Sequence, residues 1–196
     1  MTRFVMVCAG AAVLFSGAAF AEPVTGKLAK SMMYATTGTL VELVPNSAIK
    51  VSVEKIIEAV AEQQPWYAAI ALSPDEDIMT SQATVAGAQF HDTDAAAAFA
   101  LAGCEAKRTG ESPCVVVALV RPKGWKARDV QLSLIATEFF KTEYLPADAP
   151  KAMAISPATG LWGFASGDGA ADAAIADCAV KGQAVNDCAV VIADDR

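Results

Sequence analysis

Two pairs of cysteines with the same spacing constrain the fold of this chain more than any other feature. Cys104 and Cys114 enclose nine residues, Cys178 and Cys188 do the same, and the second pair repeats the first 74 residues later. An alanine-rich stretch precedes each pair and a short apolar run follows it. The spacing therefore predicts that one structural unit occurs twice and that each copy holds its own cysteine pair.

The first 21 residues predict a secretory signal peptide. Arg3 gives a positive start, Phe4 to Phe15 form an apolar stretch too short to span a membrane, and residues 19–21 read Ala-Phe-Ala, a typical cleavage site. The alternative is a buried N-terminal helix. Cleavage after Ala21 leaves a mature chain of 175 residues that begins at Glu22, enough for one well-packed domain. We therefore expect a periplasmic or secreted protein without a membrane span.

The charge of the chain argues against nucleic acid and anionic membranes as partners. Lys and Arg number 15 against 22 Asp and Glu; without Arg3 the basic residues fall to 14, which gives a formal net charge of −8. A protein of this charge repels both polyanions over long range. The partner that we expect is a protein or small molecule of the cell envelope.

Removal of the signal peptide also removes Cys8, and the four cysteines that remain predict disulfide bonds in an exported protein. Four cysteines allow three pairings, and the duplicated spacing selects Cys104–Cys114 and Cys178–Cys188. Each bond should contribute about 2–3 kcal/mol by restricting the unfolded chain. The alternative is a zinc site made of all four thiolates, but paired zinc ligands usually lie only a few residues apart. We therefore expect no metal and no cofactor.

The second copy, about residues 151–193, predicts the order strand, strand, helix, strand. Its first strand ends at Pro157, a Thr-Gly turn and a second strand follow, Ala170–Lys181 reads as a helix with Gly182 as its C-terminal cap, and a strand begins at Cys188. The disulfide should therefore join the end of the helix to the start of the last strand.

The first copy, about residues 66–120, predicts the same order with nine extra residues. The extra residues fall in an extended second strand, Thr80–Phe90, and the loop after it. A helix over Asp94–Lys107 follows, capped by Asp92 or Thr93. An insertion confined to one repeat is often where function lies, so this segment is the first place to look for a site.

Two segments lie outside the copies. Residues 22–64 predict a strand at Thr39–Val44 and a helix at Val53–Gln64 that is capped by Ser52. Residues 121–150 predict a connecting helix that begins at Asp129.

The predicted elements together indicate a fold class. Helices alternate with strands, and no low-complexity linker separates the copies. This order predicts a single α/β domain (mixed α+β) over residues 22–196, in which the two strand–strand–helix–strand repeats form a mixed sheet covered by helices.

His91 is the single histidine of the chain and the leading candidate for chemistry. It precedes Asp92, so it could act as a general base oriented by a carboxylate. However, the chain offers no G-x-S-x-G turn for a partner nucleophile, which favours a surface histidine beside a capping aspartate. We therefore expect a non-catalytic binding or interaction module. The alternatives are a small envelope hydrolase that uses His91 and Asp92, or a structural or inhibitor-like envelope protein.

Two other groups of residues leave their role open. The acidic run Asp75-Glu76-Asp77 could bind calcium, but it lacks the loop glycine and later glutamate of an EF-hand, which favours a solvated hairpin turn. The large aromatic side chains could form a binding patch or fill the core. They are Trp66, Tyr67, Trp125, Trp162 and Phe164.

The second copy also carries a recurring motif. Residues 154–157 read Ala-Ile-Ser-Pro, residues 159–163 read Thr-Gly-Leu-Trp-Gly, and Cys178 and the run Cys-Ala-Val-Val at 188–191 follow. This pattern resembles a family of exported bacterial domains of unknown function with tandem cysteine-paired repeats. The first copy keeps the strand, Ser-Pro and the cysteine pair but lacks the Thr-Gly-x-Trp-Gly turn, and the resemblance brings no catalytic residues.

The whole arrangement also looks like a set of alphaproteobacterial proteins that are sometimes labelled 5-aminolevulinic acid synthase. That enzyme is a much larger cytoplasmic protein that holds pyridoxal phosphate through a lysine. The resemblance therefore predicts an exported domain with paired cysteines, and the label does not extend its activity to this chain.

Overall fold

Strands and helices alternate along the chain in the computed structural model, which describes residues 22–46, 49–181 and 185–196. The elements in chain order are α1 (Gly26–Met32), β1 (Thr39–Leu43), α2 (Val51–Ala61), β2 (Ala68–Leu72), β3 (Val85–Gly87), α3 (Thr93–Glu105), β4 (Val115–Pro122), α4 (Leu134–Phe139) with a π-helical turn (Phe140–Tyr144), β5 (Lys151–Ile155), β6 (Trp162–Ser166), α5 (Ala170–Val180) and β7 (Ala189–Asp194). The predicted signal peptide with Cys8, and Gly182, lie outside the described residues.

The strands form two antiparallel sheets, with the orders β1-β4-β2-β3 and β6-β5-β7. The first sheet packs against α2 on one face and α3 on the other. The second packs against α5 on one face and against α1, α4 and the π-helical turn on the other. The predicted single domain of mixed α+β type is therefore confirmed.

The sheet arrangement differs from the single mixed sheet that the sequence predicts. Each unit's first strand, β2 or β5, lies at the centre and pairs with two strands of its own unit. The outer edge of β7 is occupied by residues near Val24, which form a parallel bridge with Ile192. Among the described residues, no strand of one sheet pairs with a strand of the other.

The two units share details beyond their element order. Each central strand pairs with the last strand of its unit through one register shift, at Ile70/Ala71 in the first and at Met153/Ala154 in the second. A cis peptide bond precedes each central strand, at Trp66–Tyr67 and at Ala149–Pro150. The correspondence therefore extends to the bulge, which is a specific feature of strand pairing.

Small residues let the helices of both units lie close to their sheets. Each helix buries two alanines and its cysteine at four-residue spacing, which places them on one face. They are Ala96, Ala100 and Cys104 in α3, and Ala170, Ala174 and Cys178 in α5. The alanine-rich runs of the sequence thus serve close packing as well as helix formation.

Six of the nine extra residues of the first unit lie before its second strand, and the predicted location in the second strand itself is wrong. The connection between β2 and β3 covers residues 73–84, and the matching connection in the second unit covers residues 156–161. The predicted strand Thr80–Phe90 shortens to β3. The cause is local: Asp77 Oδ1 accepts the N–H groups of Met79 and Thr80, and such side-chain bonds stabilise turns in competition with a strand.

Two predicted helix starts are wrong for similar local reasons. α2 begins at Val51, so Ser52 lies inside the helix, and Lys50 stands at the cap without a side-chain bond. α4 begins at Leu134, because Ser133 rather than Asp129 accepts the N–H of Ala136. No helix among the described residues is long and apolar enough to cross a membrane.

The N-terminal segment belongs to the second unit, although it precedes the first in sequence. Val24 donates its N–H to Val191 O (3.0 Å) and accepts the N–H of Ala193 (2.9 Å). Gly26 N–H donates to Asp194 Oδ1 at 2.9 Å. This segment therefore closes the outer edge of β7 and places α1 against the second sheet.

Candidate functional site

A cleft of about 280 Å³ lies beside the loop that distinguishes the first unit. It opens between the start of α2 and the connection from β2 to β3, and it exceeds two further clefts of about 180 and 120 Å³. The residues that line it are Ile49, Lys50, Val53, Leu72 and Pro74–Ile78. One wall of the cleft is therefore formed by the long β2–β3 connection of the first unit, which precedes the segment Thr80–Phe90 in which the sequence places the insertion.

Asp75 holds this wall through both carboxylate oxygens. Its Oδ1 accepts the hydroxyl of Ser73 at 2.7 Å, and its Oδ2 accepts the N–H groups of Glu111 and Ser112 at 2.8 and 3.1 Å. The Ser73 hydrogen bond, followed by that from Ser112, lowers the pKa of Asp75 to about 2. Asp75 therefore stays ionised and fixes the loop to the segment enclosed by the first disulfide.

Glu76 repeats this arrangement one residue later. Its Oε1 accepts the N–H groups of Thr109 and Gly110 at 2.8 and 2.9 Å, and its Oε2 accepts the hydroxyl of Ser81. The Ser81 hydrogen bond and the backbone N–H groups lower the pKa of Glu76.

The acidic run is thus not the purely solvated turn that the sequence favours. The carboxylates of Asp75 and Glu76 accept backbone N–H groups of the disulfide loop. No cluster of three or more metal-binding side chains occurs among the described residues.

The second unit makes an equivalent contact in which the two segments exchange roles as donor and acceptor. Ser156, which matches Ser73, donates its hydroxyl to Asp187 Oδ1 at 2.7 Å, and Asp187 Oδ2 accepts the N–H of Ala158 at 2.9 Å. Here the carboxylate lies in the disulfide loop and the N–H in the strand connection. Both buried serines could have been identified from the sequence, because a Ser-Pro pair occurs at the same place in each copy.

The connection of the second unit is covered by the first unit. A Cβ atom at Gly160 would lie 1.9 Å from Gln89 O, so only glycine fits at this contact. The short turn therefore lies at the interface between the units, whereas the long loop of the first unit borders an open cleft.

Both predicted disulfides are present. Cys104–Cys114 and Cys178–Cys188 each join Cα atoms 6.1 Å apart, and each links the last turn of a helix to the residue just before a strand. In the first unit, Glu105 Oε1 also accepts the N–H of Cys114 at 2.8 Å. The disulfide loop that Asp75 and Glu76 bind is therefore itself fixed at both ends.

His91 is buried between the two units and is not on the surface. Its Nδ1 accepts the N–H of Ser133 at 3.1 Å, and since that partner is a donor, Nε2 carries the proton and donates to Leu161 O at 3.0 Å. Burial lowers the pKa of His91 to about 4. Asp92 caps α3 by accepting the N–H of Ala95, as the sequence predicts. Both ring nitrogens of the predicted base are therefore occupied.

Of the large aromatic side chains, Trp66 and Tyr67 lie in the core, whereas Trp125, Trp162 and Phe164 are half-buried and pack against it. Trp66 and Tyr67 are about 1% exposed. Tyr67 Oη and Trp125 Nε1 both donate to Gln131 Oε1, at 3.3 and 2.7 Å, and burial raises the pKa of Tyr67. The remaining two rings, Trp162 and Phe164, pack against the core under the second sheet. Their ring centroids lie 4.4 and 5.3 Å from that of Phe139.

Comparison of the chain with protein-family models, with curated proteins and with solved structures gave no significant match. The function is therefore argued from the geometry alone.

Proposed function

We propose that this protein is an exported, disulfide-stapled binding module without catalysis, and that the cleft between α2 and the β2–β3 loop is its ligand site. One observation carries the proposal. The two units agree in strand order, bulge, helix packing and disulfide, but only the first extends its connection, and the extension lines the cleft. A loop that departs from a shared scaffold is a common place for a binding site.

The chemistry of the walls favours an apolar ligand group. Five of the nine lining residues are apolar: Ile49, Val53, Leu72, Pro74 and Ile78. The other four are charged, Lys50 and Asp75 to Asp77, and Asp77 accepts N–H groups of its own loop. The carboxylates of Asp75 and Glu76 accept backbone N–H groups of the disulfide loop, so they stabilise the wall of the cleft rather than bind a ligand. The ligand class that fits is an apolar side chain of an envelope protein or a small apolar molecule.

The contacts of His91 support a non-catalytic role over a small envelope hydrolase. A general base needs a nitrogen free to accept a proton from substrate or water. In His91 that acceptor, Nδ1, already holds the N–H of Ser133, and Asp92 is used as a helix cap. A hydrolase at the cleft of about 120 Å³ that both residues line would first have to break these bonds.

Export and duplication are part of the same proposal. Two disulfides suit an oxidising compartment. The matched bulges and carboxylate contacts support descent of both units from one repeat, as in the exported bacterial domains that the sequence resembles.

Sequencing of the mature protein should begin at Glu22. A mature protein that retains Met1 would refute export by this signal.

The ligand site can be tested with matched variants of two neighbouring residues. Ile78 lines the cleft, whereas Met79 is exposed beside it. We expect ligand-observed NMR with a library of small apolar fragments to give hits that bind wild type and Met79→Arg equally. Ile78→Arg should bind them at least about tenfold more weakly. Hits that bind Ile78→Arg unchanged, or whose resonance shifts map to the second unit, would contradict the proposal.

A further inference from the structure

We infer that two copies of this protein associate through the outer edge of β1 and the adjoining uncharged side of α2, so that the first sheet of one copy continues into that of the other. The surface lies outside the proposed ligand cleft, and the inference does not depend on it.

The other sheet edges are closed or short, while β1 is open. In β6, Phe164 N–H donates to Asp177 Oδ2 at 3.1 Å and Lys181 Nζ donates to Trp162 O at 3.1 Å, so α5 side chains cover the edge. The segment at Val24 covers β7, and β3 has only three residues. Five-residue β1 ends the order of its sheet, and no described residue pairs with its outer side. An uncovered edge is a template for another strand.

The outward N–H groups of β1 can be assigned. Val44 N–H donates to Val117 O at 2.9 Å, across the pairing with β4. Since N–H groups alternate between the two sides of an antiparallel strand, those of Val41 and Leu43 face away from β4. No described residue pairs with these two groups or with the carbonyls of the same residues, so they can pair with a second strand.

The uncharged side of α2 flanks this edge. β1 and β2 are both antiparallel to β4, so α2 connects two parallel strands of one sheet. Such a crossover is right-handed. In a right-handed crossover, one side of α2 faces the β1 edge, and this side carries Ser52, Ile56, Ala59 and Val60. Ile56 is 37% and Val60 43% exposed. The charged residues of α2 lie on its other sides; they are Glu54, Lys55 and Glu58.

Charge favours a second copy as the occupant. The chain carries a formal net charge of −7, so two copies can meet only where like charges are not brought together. The uncharged side of α2 meets this condition. The one charged residue of β1, Glu42, forms an ion pair with Arg121 of its own chain. A basic partner would instead find only Glu42 among the side chains of β1, and Glu42 is already paired with Arg121.

The size of the surface predicts which contacts matter. Stable interfaces bury roughly 800 Å² on each partner, and a five-residue strand alone provides much less. A two-fold axis at Val41 pairs the strands antiparallel and puts both α2 helices on the same face of the joined sheet. Ile56 and Val60 of the two copies then approach each other and add the area that the strands lack. A charge on α2 should therefore be enough to break the dimer.

Sedimentation velocity of the mature protein over a wide range of concentrations tests the inference. We expect a reversible dimer whose dissociation constant rises at least about tenfold in Val60→Lys. The control is Val180→Lys, because Val180 is 84% exposed on α5, in the other unit; it should dimerise like wild type. Circular dichroism melts must show that both variants fold. A wild type that is monomeric at every concentration, or equal weakening in both variants, would overturn the inference.

A second measurement follows the strand itself. Hydrogen exchange at the N–H groups of Val41 and Leu43 should slow as the protein concentration rises, and this effect should disappear in Val60→Lys. Protection that is independent of concentration would show that the edge is covered within one chain.

Discussion

At the residue scale, His91 joins three parts of the molecule through its two ring nitrogens. It follows the first unit's second strand, accepts a hydrogen bond from the residue that caps α4, and donates one to the second unit. The sequence predicts the capping role of its neighbour Asp92, which is local. It does not predict the burial of His91, because Ser133 and Leu161 lie 42 and 70 residues away.

The contacts of His91 predict how stability depends on pH. The folded pKa, about 4, lies below the ordinary value of 6.5, so the unfolded chain binds a proton first as pH falls. Stability is fully present above about pH 6.5 and is lost towards about pH 4, by up to about 3 kcal/mol. The titratable or charged groups near the ring are Asp92, Arg128 and Asp129, and Asp92 opposes the shift.

Urea unfolding of wild type and His91→Gln at several pH values between about 7 and 4 measures this effect. Glutamine keeps a donor and an acceptor but takes up no proton, so its stability should change much less in this range. Asp75 interferes little, because its contribution to stability is lost mainly as pH falls from its ordinary pKa of 3.8 to its folded pKa of about 2, and this loss is the same in both proteins. Equal pH dependence in both proteins would rule out His91 as the cause.

At the element scale, the sequence predicts those helices and strands whose residues carry a consistent pattern. The alanine-rich helices α3 and α5 lie within a few residues of their predicted bounds, and β5 ends two residues before Pro157, where the sequence predicts its end. Prediction fails where a single side chain decides the outcome. Asp77 and Ser81 turn most of the predicted strand Thr80–Phe90 into a loop, and Ser133 moves the start of α4.

Close contact between β6 and α5 gives a prediction for one glycine. A Cβ atom at Gly163 would lie 2.1 Å from Ala174 O and 2.3 Å from Cys178 N, both backbone atoms that cannot move aside. Gly163→Ala should therefore cost several kcal/mol, roughly 3–5, by forcing the helix from the sheet. Gly167→Ala is the control: it meets no atom within 4 Å but has a φ of 93°, so it should cost only about 1 kcal/mol. Equal costs in urea unfolding would disprove this account.

At the scale of the whole molecule, the chain interleaves its two units. Residues 22–33 pack on the second sheet, whereas β1 and α2 complete the first. The sequence predicts one domain but not this crossing, because α1 is short and its main partners lie at the other end of the chain. Comparison of the copies predicts an insertion in the first unit but places it at Thr80–Phe90 and the loop after it, whereas the cleft wall is formed by Pro74–Ile78. The opposite wall, Ile49 to Val53, lies outside the copies and gave no such signal.

Deletion of residues 22–33 tests this interleaving. It removes the Val24 carbonyl that accepts the N–H of Ala193, and it uncovers the core where Ala29 is buried. We expect hydrogen exchange to accelerate in β7 and β5 while β2 and β4 keep their protection. Leu28→Lys serves as a control, because Leu28 is 48% exposed and should leave both sheets protected. Uniform acceleration of both sheets, or of neither, would contradict the assignment.

The pairing of residues 24–26 with β7 also has a consequence for the order of events during synthesis. Gly26 is synthesised early, and its hydrogen bond can form only after Asp194, 168 residues later, has been synthesised. Translation adds only about 5–20 residues each second, so residues 24–26 stay without their partner strand for many seconds. In the export that we propose, this delay would help to keep the nascent chain unfolded until its final strand has been made.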